Sequence, residues 1–129
     1  MKIDDFKKLS EELIAEAQKV SEDKQKDYAR DFDALDNFKS IAQITGLTPQ
    51  QVWSVYFYKH ISAVMAWARE GKVESESLKS RFIDIINYAK LGYGLEVEDE
   101  LNEVEVDEVE LEYRPPYKEK GTYIVSSVY

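Results

Sequence analysis

The sequence predicts a mainly α protein: a four-helix bundle with a C-terminal β-hairpin appendage. Three observations carry this expectation. Apolar residues recur every three or four positions in four stretches up to about residue 91. Glycines and capping residues separate those stretches. After "LGYGL" the pattern changes to an alternation of apolar and acidic residues. The expected organisation is a helical bundle over residues 1–95, a linker over 96–102, and an acidic β-hairpin or tail over 103–129.

In the first stretch Phe6, Leu9, Leu13, Ala17 and Val20 share one face, with Asp4 or Asp5 available as N-cap, so a helix is expected from residue 4 to about 25. Its polar face carries Glu12 and Glu16. A shorter helix, about 34–45, rests on Leu35, Phe38, Ile41 and Ala42, and Gly46 stands where a left-handed residue would end it. "TPQQ" then offers Thr48 as N-cap, Pro49 at the first helical position and Gln51 to complete a capping box. The third helix should begin there and run to about Glu70, with Gly71 as its stop. It is apolar nearly all round, which predicts a central position. "VESES" supplies Ser75 or Ser77 as cap for a fourth helix, about 78–91, on the stripe Leu78, Phe82, Ile85, Ile86 and Ala89; its other face carries Arg81, Asp84 and Tyr88. Four helices with short connections suggest antiparallel packing.

"EVEVDEVELEY" and "GTYIVSSVY", separated by the turn-rich "RPPYKEKG", read as the two strands of the hairpin. A disordered acidic tail is the alternative for the same residues. An isolated hairpin is marginal in water, so it would pack on the bundle or on a second subunit.

Composition narrows the function classes. The chain has 129 residues, 43% of them hydrophobic, enough for one small core. It has no cysteine, which removes disulfides, thiolate metal sites and thiol nucleophiles, and which a reducing cytoplasm accommodates. The N-terminus is charged from the start, no segment has the apolar length of a membrane span, and the expected setting is cytoplasmic, without a membrane. Residues 1–95 hold 15 acidic and 14 basic residues, whereas residues 96–129 hold 11 and 3, so the net charge of -9 belongs to the C-terminal part. Neither part offers a basic stripe, and direct binding to a nucleic-acid backbone is not expected.

One stretch raises a chemical question. "YKHISAVMAW" sets the only histidine, His60, beside Lys59 in an otherwise apolar and aromatic run. Adjacent helical residues differ by about 100°, so the two cannot point the same way. Lys59 must snorkel to an edge or meet carboxylates or a phosphate. A lone helical histidine is more often a hydrogen-bonded core or boundary residue than a ligand. Glu12 and Glu16, at i and i+4, could share a divalent cation or form a solvated face.

The segments "DNF..IA" (Asp36, Asn37, Phe38, Ile41, Ala42), "KHI" (Lys59, His60, Ile61) and "RFIDIINY" (Arg81, Asp84, Asn87, Tyr88) occur in this order over roughly residues 20–95. In them the chain resembles a phage-borne family of small all-α proteins related to the MazG-like nucleotide pyrophosphohydrolases, the nucleotide-modification-associated domain type. The resemblance implies a MazG-like bundle that binds a nucleotide and, in active relatives, hydrolyses a phosphoanhydride with Mg²⁺ held by acidic residues. It implies Glu12, Glu16 and Asp84 as catalytic and metal-holding residues, Lys59, His60 and Arg81 on the phosphates, and Trp53, Tyr56 and Tyr88 against the base. It also implies a homo-oligomer, dimer or tetramer, and a bacterial host cytoplasm if the chain is phage-encoded.

The acidic motif departs from the family pattern. Where EExxE is expected the chain has "EELIAE", its third acid one position late, and where ExxD is expected it has "RFID". An arginine there repels a cation and attracts a phosphate. Three readings follow: a Mg²⁺-dependent nucleotide pyrophosphohydrolase, a nucleotide-sequestering protein without turnover, and an interaction module acting through the acidic hairpin.

Overall fold

The computed structural model describes residues 1–28, 33–72 and 77–109, and the protein over these residues is mainly helical, with four helices and no strand. They are α1 (Ile3–Tyr28), α2 (Asp36–Thr45), α3 (Pro49–Glu70) and α4 (Leu78–Val109). Among the described residues no helix is long and apolar enough to cross a membrane.

Local chemistry sets most of the helix ends. The capping box at α3 forms in full: Gln51 N donates to Thr48 Oγ1 at 3.1 Å and Thr48 N donates to Gln51 Oε1 at 2.9 Å. Gly46 and Gly71 take φ of 73° and 76°, and their N–H groups donate to Ala42 O and Trp67 O. Ser77 caps α4, its Oγ accepting from Ser80 N at 3.1 Å. Asp4 and Asp5 lie inside the first turn of α1 rather than at its cap, where their charge complements the helix dipole.

The fourth helix departs most from expectation. It does not stop near Leu91 but runs through residues 96–102, read as a linker, to Val109, and so overlaps the start of the expected hairpin. Residues 110–129, the rest of that hairpin, lie outside the described residues. Tertiary contacts hold the extension. Glu98 pairs with Lys39 of α2 at 2.6 Å, and Asp99 accepts from Gln50 of α3 at 2.5 Å. Lys39 also meets Asp33 at 2.7 Å. That hydrogen bond holds the Asp33 carboxyl below its ordinary range, while on Lys39 the two carboxylates outweigh burial and raise the ammonium.

As expected of its composition, α3 is central, and it shares that place with α4: α3 packs on α4 and α2, and α4 on α3 and α1. On the outer face of α3, away from α2 and α4, Val55, Tyr58 and Met65 are exposed among the described residues. On α4 the most deeply buried face is the one that carries the polar groups, while Leu78, Ile85 and Ile86 of the expected apolar stripe are half-buried. Arg81, Asp84, Asn87 and Leu95 are buried, whereas Phe82 and Ala89 are exposed. The polar groups can turn inward because they find partners there: Asn87 Nδ2 donates to Ala17 O at 3.0 Å, and Asp84 accepts from Lys24 at 3.2 Å.

Leu35, Phe38, Ala42, Val52 and Leu95 form the apolar core, with Ile41, Trp53, Tyr56, Tyr88 and Leu91 packed against it. The indole of Trp53 lies directly on the backbone of α4. Its Nε1 donates to Tyr88 O at 2.7 Å, and a Cβ at Gly92 would fall 2.5 Å from its ring. Glycine is therefore required inside this helix by a close approach, not by a turn. At Gly94 the nearest atom to an added Cβ is a Leu35 methyl at 3.7 Å, an ordinary contact.

The two glycines should respond oppositely to alanine. Gly92→Ala should lose about 1–3 kcal/mol by overpacking, despite the better helix propensity of alanine. Gly94→Ala should gain roughly 0.5–1 kcal/mol. Urea denaturation followed by tryptophan fluorescence checks both, and a destabilised Gly94→Ala or a neutral Gly92→Ala would refute this account of the α3–α4 contact.

Candidate functional site

The four helices enclose a cleft of about 360 Å³. Ser21, Lys24 and Gln25 of α1 form one wall. Asn37 and Phe38 of α2, with Ala34 just before it, form another, and Tyr56 of α3 and Asn87, Tyr88 and Leu91 of α4 complete it. This volume lies within the range of small-molecule sites, and its mixture of aromatic faces with a few polar groups is characteristic of them.

The aromatic side chains form a connected set. The rings of Tyr56 and Tyr88 are nearly parallel, 11° between planes with centroids 6.0 Å apart, and Phe38 stands 6.2 Å from each at a steep angle. These side chains are positioned from below: Trp53 holds the carbonyl of Tyr88, and the ring of His60 sits 5.0 Å from that of Tyr88. Amide groups at Gln25, Asn37 and Asn87 supply both donors and acceptors. Asn87 is fixed by its bond to Ala17 O, and its Oδ1 is buried without a hydrogen-bond partner among the described residues.

Beside the cleft lies a group of charges. Asp84 is 8% exposed and sits between Lys24 Nζ, at 3.2 Å, and His60 Nδ1, at 3.4 Å. The His60 contact lacks the alignment of a hydrogen bond. Burial pushes the His60 imidazole below its usual range; Asp84 opposes this, and Arg81, Lys24 and Lys59 add to it. Its neutral form is thus favoured in the folded chain. Arg81 is buried on the same face of α4, one turn before Asp84.

Among the expected site residues, the structure brings Tyr56 and Tyr88 to the cleft, with His60, Asp84 and Arg81 behind or beside it. Trp53 does not line the cleft: it stacks on Phe57 at 4.9 Å and serves the α3–α4 contact. Lys59 is exposed, and the inward position beside it belongs to His60. Glu12 and Glu16 are exposed on α1, Glu16 pairing with Lys79 at 2.6 Å.

Glu12, Glu16 and Asp84 therefore do not form the expected metal-holding set. Among the described residues no three histidine or carboxylate side chains converge in a way that could hold a metal ion. The oxygens of Asp84 already face Lys24 and His60. As placed, these residues do not fit Mg²⁺.

Lys24, Gln25, Asn37 and Asn87 were not foreseen as site residues. Lys24 continues the apolar stripe Ala17, Val20 at helical spacing. A polar residue that continues an apolar stripe is the signal that could have found Lys24.

The depressed His60 makes the fold sensitive to acid. The unfolded chain takes up a proton near pH 6.5 while the folded chain resists it. Stability should thus fall as pH drops below about 6.5, by at most about 1.4 kcal/mol per pH unit, until the folded imidazole titrates. Denaturation of the native chain and of His60→Gln as a function of pH checks this: the substitution should remove that slope, and an unchanged slope would refute it. Compared with family models, curated proteins and solved structures, the chain matches none of them.

Proposed function

We propose that this protein binds a nucleotide in the cleft between its four helices and holds it without metal-dependent turnover. The observation that carries this reading is the wall built by Tyr56, Tyr88 and Phe38, with amide side chains and one lysine around it. A nucleobase is planar, has a π face for the aromatic rings, and bears ring and exocyclic groups that match amides. Lys24, at the edge of the cleft, is the lining cation for a phosphate.

The resemblance to MazG-like proteins points to the same ligand class. The placement of the carboxylates favours binding over hydrolysis, because the acids that resemblance assigns to Mg²⁺ are separated here. The phosphate contact accordingly passes from Lys59, which does not line the cleft, to Lys24, which does.

The test is to incubate the purified chain with Mg²⁺ and a pool of nucleoside triphosphates and cyclic nucleotides, remove free ligand, denature, and identify what is released and what has been converted. An unchanged nucleotide released on denaturation, with retention reduced about tenfold or more in Lys24→Ala, is the expected result. Monophosphate and pyrophosphate formed from a triphosphate would replace the proposal with hydrolysis. No retained nucleotide and no product would overturn it.

A further inference from the structure

Behind the cation of the cleft stands an anion. Among the described residues Lys24 is the one charged side chain that lines the cleft, and its Nζ lies 3.2 Å from Oδ1 of Asp84. Asp84 does not line the cleft itself; it sits one turn before Tyr88 on α4 and is 8% exposed, whereas the side chain of Lys24 is about half-exposed.

A buried carboxylate beside a phosphate-binding ammonium acts on a phosphate in two opposite ways. It holds the ammonium at the wall, which reduces the entropy lost when a ligand orders that long side chain. It also repels the phosphate. Exposure decides between the two effects. The half-exposed lysine is only partly ordered by the pair, so that gain is small, while a carboxylate withdrawn from water acts on its neighbours with little screening. Repulsion therefore dominates, and it grows with every further negative charge on the ligand. His60 relieves little of it, since its Nδ1, 3.4 Å from Asp84, makes no aligned hydrogen bond to the carboxylate. Arg81 is buried one turn before Asp84 and does not line the cleft.

Resting on the nucleotide reading above, we infer that Asp84 sets the charge of the ligand: the cleft takes a nucleoside with a single phosphate group, as monoester or cyclic diester, and disfavours the triphosphate. The ammonium of Lys24 has three donors and serves Asp84 and one phosphate together. The further groups of a triphosphate bring more negative charge toward Asp84 and meet no second cation on the described walls. The volume of about 360 Å³, near the lower end for small-molecule sites, suits the smaller ligand.

Isothermal titration of the full chain tests this with adenosine, guanosine, cytidine and uridine and with the monophosphate, cyclic monophosphate and triphosphate of each, first in EDTA and then with Mg²⁺. For the base that binds best, a singly phosphorylated form should bind about tenfold tighter than the triphosphate. In Asp84→Asn, which keeps the shape and removes the charge, that ratio should fall to about one. The ratio is read within each protein, so a general loss of affinity or stability cancels, and the native ratio requires no variant. A triphosphate bound by the native chain as tightly as the singly phosphorylated forms, in either condition, or a ratio unchanged in Asp84→Asn, would overturn the inference and leave nucleotide binding standing. Binding of none of these compounds would overturn the nucleotide reading itself and this inference with it.

Discussion

The contact between the Trp53 indole and the bare backbone of α4 at Gly92 governs the rest of the structure. It sets how closely α3 approaches α4. It also engages the carbonyl of Tyr88, and so fixes the residue whose ring faces Tyr56 and Phe38 across the cleft. With a side chain at position 92 the two helices would have to separate or the indole to rotate, and the aromatic wall would lose its alignment in either case. The aromatic wall thus depends on an atom that is missing from the sequence rather than on one that is present.

Helix ends were legible in the sequence because the groups that form them are neighbours along the chain. Thr48 and Gln51 cap each other across three residues, and Gly46 and Gly71 end helices through their own φ. The inward face of α4 was not legible, because it depends on partners far away in sequence. Asp84 and Asn87 look like surface residues until Lys24 and the carbonyl of Ala17 are brought to them. The same limit explains the misread linker. Glycines at 92 and 94 and a run of acids resemble a break, whereas the ties from Lys39 and Gln50 that keep residues 98 and 99 helical come from other elements. In the site, Tyr56 and Tyr88 were found as aromatics at helical spacing, and Lys24 was missed because a lysine among acids on a long amphipathic helix resembles any solvated charge.

The charges behind the cleft are arranged to satisfy one another. Asp84, nearly withdrawn from water, has an ammonium on one side and a neutral imidazole on the other. Removing Lys24 would leave a buried carboxylate undercompensated, which is costlier than never having buried it. The sequence places two titratable groups side by side at positions 59 and 60 because they serve opposite environments: Lys59 faces water, and His60 supports the aromatic wall and faces the carboxylate.

The second helix has ten residues, shorter than the length at which an isolated helix holds together in water. Phe38 and Ala42 in the core, and the tie from Lys39 to Glu98, supply what its own hydrogen bonds cannot. One wall of the cleft therefore exists only while the whole chain is folded. Recognition here is a cooperative property: the surface presented at Asn37 and Phe38 and the global folding transition share one free energy, so anything that loosens the extension of α4 changes the shape of the cleft at the opposite wall.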